Sequence, residues 1–348
     1  MTPQVSIVLP SFNGGARIGS ALAALVGAAD RSPQPVEVIA VDNGSSDDTS
    51  QVIAGFPTVR LLRLEQNQGF GGGVEAGCAL ATGRILGILS DDVVVDPDFF
   101  SPLLAHFERD ETFAVMPRIL TPAGDRMDIA PTLPALRRGE LRLRSIEPLP
   151  EGALESPAPL TTFFAAGGMS LYRRDRFDAL GGFDAIYLPG YHEDVDVTWR
   201  AWARGWASYF EPRSVAVHDH DSGAFSTEYR HVRRRTFIRR NWILMNLIHR
   251  DRAVTLQLLG AALHAASRVA RRLLHPSKFM GSLLALPLVA LRLPAALRKR
   301  RAERRARVND NEAVFRIVRG AWDALGAGAL GAGALAGDPA LITHPRPE

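Results

Sequence analysis

The sequence predicts an α/β fold, a mostly parallel sheet followed by a basic α-helical C-terminal region. Three observations carry that reading. Short β-branched runs alternate with helical patterns over residues 1–92, three of those runs end in turns rich in Asp, Asn, Gly and Ser, and basic residues crowd into 230–310. Alternating strand and helix implies parallel strands joined by right-handed crossovers.

The elements follow in order. Apolar runs predict strands near 4–9, 36–41, 59–64 and 84–89, and helical spacing fills 16–28, 47–54 and 73–81 between them. Pro97 and the apolar stretch Phe99 to Phe107 add a helix, and Phe113-Ala-Val-Met116 adds a strand. Residues 121–160 are rich in Pro, Arg and Glu with weak periodicity, which reads as a long loop or lid. Thr161 to Tyr172 reads as an apolar strand interrupted by Gly167 and Gly168. Helical patterns return at Arg233–Leu247 and Ala253–Leu274, and Gly326 to Gly337 is low in complexity.

The strand ends hold the chemistry. The run Val36 to Val41 closes on Asp42 and enters a turn of Asn, Gly, Ser, Asp and Thr. Ser45 or Ser46 can cap the next helix, and Asp47 or Asp48 suits its N-terminus. Capping does not account for Asp42, a carboxylate at the sheet edge where α/β proteins bind ligands. Val5–Leu9 likewise runs into Pro10-Ser-Phe-Asn13, and Arg84–Leu89 runs into Ser90-Asp-Asp92.

Pro10-Ser-Phe-Asn13, Val41-Asp-Asn-Gly-Ser45, Asn67-Gln-Gly-Phe70 and Ser90-Asp-Asp92 together resemble the nucleotide-sugar half of a family 2 (GT-A fold) glycosyltransferase. Gly181-Gly-Phe-Asp184 and His192-Glu-Asp-Val-Asp196 resemble its acceptor half. The resemblance covers about the first 220 residues and implies a Rossmann-like GT-A domain, 1–225. Its donor half would be 1–120 and its acceptor half 160–225, ahead of a basic membrane-associating region, 226–310, and a low-complexity tail, 311–348.

The resemblance also implies roles. Pro10, Ser11, Phe12, Asn13, Asp42, Asn43, Asn67, Gly69, Ser90 and Asp91 would bind a UDP-, dTDP- or GDP-linked sugar. Asp92 matches the ligand of the family's Asp-x-Asp metal motif, with Ser90 in place of the first carboxylate. His218, ahead of His220, would complete a Mg2+ or Mn2+ site; the hard cation suits oxygen ligands. Asp194 matches the catalytic base of inverting members, supported by Glu193. Gly167, Gly168, His192 and Arg200 would lie on the acceptor side. As bare residues, the acids at 193–196 also suit a helix N-terminus, although three within four exceed that need.

Composition narrows the setting. The chain has 348 residues and a single cysteine, Cys78, which excludes an internal disulfide and a cysteine-rich metal site and fits a reducing compartment. The first strand begins without a basic segment and apolar run ahead of it, so a secretory signal is not expected. Residues 230–310 hold 20 Lys and Arg against three acids, whereas the rest holds 21 against 34. A basic segment on an acidic body meets an anionic partner. Its bases are interleaved with Leu, Ala, Val and Ile rather than aromatics, which points to an anionic membrane and not to nucleic acid; a helical bundle packed on the catalytic body, its Arg residues merely solvated, is the rival reading. The uncharged run Phe279–Leu291 would span about 20 Å as a helix, short of the roughly 30 Å hydrocarbon core. These features predict a peripheral place on the inner face of the cell membrane, and the resemblance implies a glycan or lipid-linked acceptor.

Two other readings compete. Gly71-Gly-Gly73-Val-Glu-Ala76 satisfies a dinucleotide-binding pattern with Asp91 about 20 residues on, as an NAD-dependent oxidoreductase requires. Glu65 to Gln68, however, separate it from the strand. A non-catalytic GT-A-like membrane scaffold is the second, and Ser90 is its support.

Overall fold

The computed structural model describes residues 3–137, 140–219, 231–251 and 276–325, with residue 260. The first half alternates as its pattern requires: β1 (Val5–Ser11), α1 (Gly15–Arg31), β2 (Val36–Asp42), α2 (Thr49–Ala54), β3 (Val59–Arg63), α3 (Gly69–Cys78) and β4 (Ile85–Leu89). Then come β5 (Val93–Val95), α4 (Phe100–Ala105), β6 (Thr112–Leu120), β7 (Met127–Ile129), β8 (Thr132–Arg137), β9 (Glu140–Ser145), β10 (Leu160–Thr161) and β11 (Met169–Arg173). The chain continues through α5 (Arg174–Ala179), α6 (Glu193–Ala203), β12 (Ala207–His218), α7 (His231–His249), α8 (Pro276–Ala306) and α9 (Asn311–Asp323).

The main sheet runs β3-β2-β1-β4-β11-β6-β12-β10. β1 is parallel to β2 and β4, β2 to β3, and β6 to β12, while β11 opposes both its neighbours. After β3 the chain returns to the other side of β1, so a crevice opens beyond the carboxyl ends of β1 and β4, the usual ligand position in such sheets. All seven β1 residues are buried, and α1 covers the sheet with Ile18, Ala21, Leu22, Leu25 and Ala28 at helical spacing. Each large apolar side chain so buried contributes about 1.5–3 kcal/mol. α3 lies very close: a methyl on Gly77 would stand 2.3 Å from Val8 Cγ1.

Several expectations change. Residues 121–160 are not a structureless lid, since β7 pairs with β6 and β8 pairs with β9 as a hairpin. The strand expected over Thr161–Tyr172 divides into β10 and β11, which lie at different places in the sheet because Gly167 and Gly168 carry the chain across between them. Gly71–Gly73 lie inside α3, which begins at Gly69, and so form no phosphate turn. The basic region packs on the catalytic body, with Asn241 and His249 of α7 bonded to Tyr187 O and Asp196. α7 and α8 pack together and bury Leu244, Leu247 and Ile248 with Val289 and Ala296.

The tail boundary at 311 moves as well. α9 is capped by Asp310, whose carboxylate accepts from Ala313 N at 2.8 Å, and it buries Val314, Phe315, Val318 and Trp322. Trp322 Nε1 donates to Thr161 O at 2.7 Å, which fixes α9 against β10. Apart from residue 260, the expected helix at 253–274 lies outside the described residues, as does the run Gly326–Gly337. No described helix is long and apolar enough to cross a membrane.

Candidate active site

Asn43 ties the donor half together. Its backbone N–H donates to Ser11 O at 2.8 Å, and its Nδ2 donates to Gly69 O at 2.9 Å and Asn67 Oδ1 at 3.2 Å. Its Oδ1 accepts from Gln68 N at 3.0 Å. The turns after β1, β2 and β3 therefore meet on one residue. Asn13, with φ of 49°, accepts at Oδ1 from Ser46 N at 2.9 Å. Asp42 is buried at the β2 end and turned inward, accepting from Ser45 N at 2.9 Å and from the Ser50 hydroxyl. Pro10 is buried beneath Gly73, and Phe12 is half-buried.

At the switch point Asp91 links β4 to β1 and α1. It accepts from the Ser11 hydroxyl and from Arg17 Nε at 3.1 Å and Nη2 at 3.0 Å. Burial raises the Asp91 carboxyl, with Arg17 and Ser11 opposing. Arg17, spaced one turn beyond Asn13, carries no motif signal in the sequence.

Asp92 follows, brought beside His218 by the register of β5 with β12, in which His218 opposes Val93. His218 Nε2 lies 3.5 Å from Asp92 Oδ1, and Nδ1 lies 2.8 Å from Asp128 Oδ2. Burial pulls the imidazole down, but the two carboxylates overcome it and leave it at about 9. Asp92 Oδ1 is buried with no hydrogen-bond partner among the described residues. Among the described residues Asp92 Oδ1 thus has only its ion pair with His218 Nε2, and with Nδ1 fixed on Asp128 that nitrogen would turn to a cation once the cation displaces its proton. The residues thus fit a divalent cation. No three His, Cys, Asp or Glu side chains form a complete cage among the described residues, so diphosphate and water would supply the remaining ligands. Asp128 stands in the stretch read from sequence as a lid, where nothing marked it.

Gly167 and Gly168 join the two halves. Gly168 O accepts from Ser90 N at 2.7 Å, and a methyl on Gly168 would fall 2.2 Å from Ser90 Oγ. Gly167 N donates to Asp194 Oδ2 at 3.2 Å, and Val195 N donates to Asp194 Oδ1 at 2.8 Å. Burial raises the Asp194 carboxyl, and those N–H groups counter it. Burial and the Asp194 charge push Glu193 further, to about 8, and its Oε2 has no partner among the described residues. Neighbouring carboxyls that resist joint ionisation divide into one that keeps its proton and one that loses it. Glu193 is the one pushed further toward keeping its proton, and the Gly167 and Val195 N–H groups favour the charged form of Asp194.

The other two expected acceptor residues face elsewhere. Arg200 is buried, with Nε on Asp196 at 2.7 Å and its remaining nitrogens on Leu180 O at 2.5 Å and Gly182 O at 2.8 Å. A guanidinium committed to three internal acceptors has none left for substrate. His192 is buried edge-on to Trp242 at 5.3 Å, and burial pulls it down to about 4, so it is neutral. Beneath them Asp196 accepts from Tyr187 OH and His249 Nε2, each at 2.7 Å, as well as from Arg200. Burial would lift Asp196, but Arg200, His249 and Tyr187 outweigh it and leave it at about 2. His249 also stacks on Trp199 at 4.7 Å.

Comparison with known proteins identifies the fold and the family. N-acetylglucosaminyl-diphospho-decaprenol L-rhamnosyltransferase of Mycobacterium tuberculosis is 29% identical over 240 residues, covering 63% of this chain and 76% of that protein. Among solved structures, GalNAc-T7 with UDP, GalNAc and Mn2+ aligns with a TM-score of 0.56 at 15% identity, over 84% of this chain and 58% of that one. S. aureus TarS 1-349 in complex with UDP-GlcNAc aligns with a TM-score of 0.52 at 15% identity, over 92% of each. At such identity the two structures establish the fold, GT-A. The sequence model of glycosyl transferase family 2 matches residues 6–181. That is just over half of the chain, and it contains every strand-end motif of the donor half; this protein belongs to glycosyl transferase family 2.

Proposed function

We propose that this enzyme transfers a sugar, with inversion, from a nucleotide-activated donor to a lipid-linked glycan at the inner face of a bacterial membrane. One observation carries the reading: Asp194, the free carboxylate of its pair, lies against the Gly167–Gly168 bridge whose other side meets Ser90. Base and donor crevice are then one turn of backbone apart. The acceptor chemistry follows the rhamnosyltransferase, whose name carries a decaprenol-linked diphosphosugar.

In this reading the turns gathered on Asn43, with Asp42 and Asp91, hold the nucleoside. Asp92 and His218 hold a divalent cation, Mg2+ or Mn2+, which when bound supplies positive charge for the departing diphosphate. Asp194 takes the proton from the acceptor hydroxyl. That oxygen forms its bond to the anomeric carbon from the face opposite the diphosphate, and the breaking C–O bond leaves its electron pair on the diphosphate. Glu193 stays protonated beneath and keeps a second negative charge away from the base. Gly167 N and Val195 N aim the Asp194 oxygens.

Membrane contact is assigned to the outer face of α8. Leu284 and Leu291, 43% and 78% exposed, stand seven residues apart, and exposed Arg298 and Arg305 continue the same spacing with Arg301 beside them. An apolar stripe next to a basic one suits an anionic interface.

A thermal-shift screen of the full-length protein against UDP-, GDP- and dTDP-sugars with Mn2+ or Mg2+ tests the donor assignment. Stabilisation by one nucleotide family that needs the cation is expected. Stabilisation by NAD(P) alone, or by none of these ligands, would overturn it.

A further inference from the structure

The loop that leads into the proposed base is held by a residue outside the segment matched by the family model. Before α6, Tyr191 and His192 both adopt φ of 76°, a left-handed conformation that residues with a Cβ seldom take. Such a loop keeps its shape where its surroundings over-determine it. Asn241, in the middle of α7 and fully buried, does much of this. Its Nδ2 donates to Tyr187 O at 2.7 Å, Gly190 O at 2.8 Å and Tyr191 O at 2.9 Å. The amide is kept from turning over, because its Oδ1 accepts from Arg240 Nε at 2.8 Å. Arg240 Nη2 also donates to Tyr187 O at 3.2 Å and to Leu188 O.

We infer that Asn241, oriented by Arg240, is a positioning residue for sugar transfer. By gathering the carbonyls of 187–191 it sets where α6 begins, and so where the Asp194 carboxylate points. The inference rests on Asp194 being the base. The site requires an amide: nitrogen donors meet carbonyl oxygens, and the amide oxygen receives the guanidinium. An Asp of the same size would turn lone pairs toward three carbonyls, and an alanine would take this donor from Gly190 O and Tyr191 O while Tyr187 O kept Arg240 Nη2 and Gly190 N. Position matters because misplacing a reacting group by about 1 Å costs on the order of 100-fold in rate.

The experiment uses the full-length chain with Asn241→Ala, Asn241→Asp, Arg240→Ala and Asp194→Asn. Calorimetry measures binding of UDP, GDP and dTDP with Mn2+, and transfer is followed with the radiolabelled nucleotide-sugar that the wild type uses. The Asn241 variants should transfer about 10–100-fold more slowly, with nucleotide affinity within about two-fold of wild type and a displaced pH–rate profile. A folded Asn241→Ala that transfers at the normal rate while Asp194→Asn is inactive overturns the positioning role. So does loss of nucleotide binding in proportion to transfer, which marks a merely structural residue. Full activity in Asp194→Asn overturns the base itself, and this inference with it. Should Asn241→Ala not fold, Arg240→Ala carries the same comparison, since it frees the amide without emptying its place.

Discussion

Gly167 N donates to Asp194 Oδ2 at 3.2 Å, and a methyl on Gly167 would stand 3.1 Å from Asp194 Cβ. Backbone and the proposed base are therefore in direct contact, and an added side chain would press on the Asp194 Cβ. The adjoining Gly168 repeats the relationship with Ser90, so two successive glycines bring the two halves of the site together.

Asp194→Asn keeps the size of the base and one of its acceptors but cannot take a proton. Transfer should fall about 10²–10⁴-fold. Nucleotide binding should stay at the wild-type level, which calorimetry with UDP, GDP or dTDP and Mn2+ checks. Near-normal turnover would remove Asp194 from the role.

Asp92→Ala empties one side of the pair with His218 and should abolish the dependence of nucleotide binding on a divalent cation. His218→Gln should weaken that dependence, because the Asp128-oriented imidazole is lost; ligands and their orienting partners typically matter at the level of 10–100-fold. Titration of Mn2+ at fixed nucleotide concentration reads both. Unchanged cation dependence in Asp92→Ala would place the metal elsewhere.

Gly168→Ala tests the bridge. Its methyl would lie 2.2 Å from Ser90 Oγ, a hydroxyl that can rotate away. The melting temperature should change little while donor affinity falls, because the rotated hydroxyl enters the crevice. Gly77→Ala makes the opposite comparison. Its clash is with branched Val8 and Val41 in the core, so stability should fall by about 1–3 kcal/mol without an effect on the intact site. Denaturant titration separates the two.

Glu193 gives the fold a pH signature. Its carboxyl is raised from 4.5 to about 8, so the folded chain keeps a proton that the unfolded chain releases. The associated stability is complete below the ordinary value and is lost as pH rises through about 8. Glu193→Gln keeps the neutral form at every pH. Its melting temperature should decline less than that of wild type between about pH 5 and about pH 9. An identical decline in both would show that Glu193 is not the proton holder.

Membrane contact is testable without deleting the basic region. Removing residues 230–348 would take away His249, Asn241 and Lys299 and disturb α6 itself. Leu291→Asp, and a triple change of Arg298, Arg301 and Arg305 to Glu, alter only exposed positions. Both should reduce sedimentation with anionic vesicles, the triple change by about 1 kcal/mol or more per residue, and wild-type binding should weaken with salt. Equal recovery of wild type with and without anionic vesicles would rule the contact out.

The donor half was legible because its signals are local. A strand, a polar turn and a helix lie within a few residues of one another, so Asp42, Asn43, Ser90 and Asp91 could be placed at one sheet edge from spacing alone. Asp128, Arg17 and Asn241 could not. Each acts on a partner at least 50 residues away, as with Asp128 on His218 or Asn241 on Tyr191, and each looks like an ordinary turn, helix or basic-run residue in its own neighbourhood. Arg200 and His192 were legible as residues of a motif but not in direction. Helical spacing locates Arg200 one turn from Asp196, and it is the loop after α5, through Leu180 O and Gly182 O, that takes up its remaining nitrogens.

The long reach between Asp196 and its partners also sets an order of events during synthesis. His249 and Lys299 are made well after α6 has left the ribosome, and Trp199 waits longer still for Asn311, whose Oδ1 receives its indole N–H at 2.9 Å. At about 5–20 residues per second, the stretch from Asp196 to Lys299 takes on the order of 5–20 s to appear. Throughout that interval the nascent chain holds a complete set of donor-half strands and an α6 whose Asp196 has only part of its partners. A chain cut between β12 and α8 should therefore keep the donor-half strands but lack part of the set of bonds that holds α6.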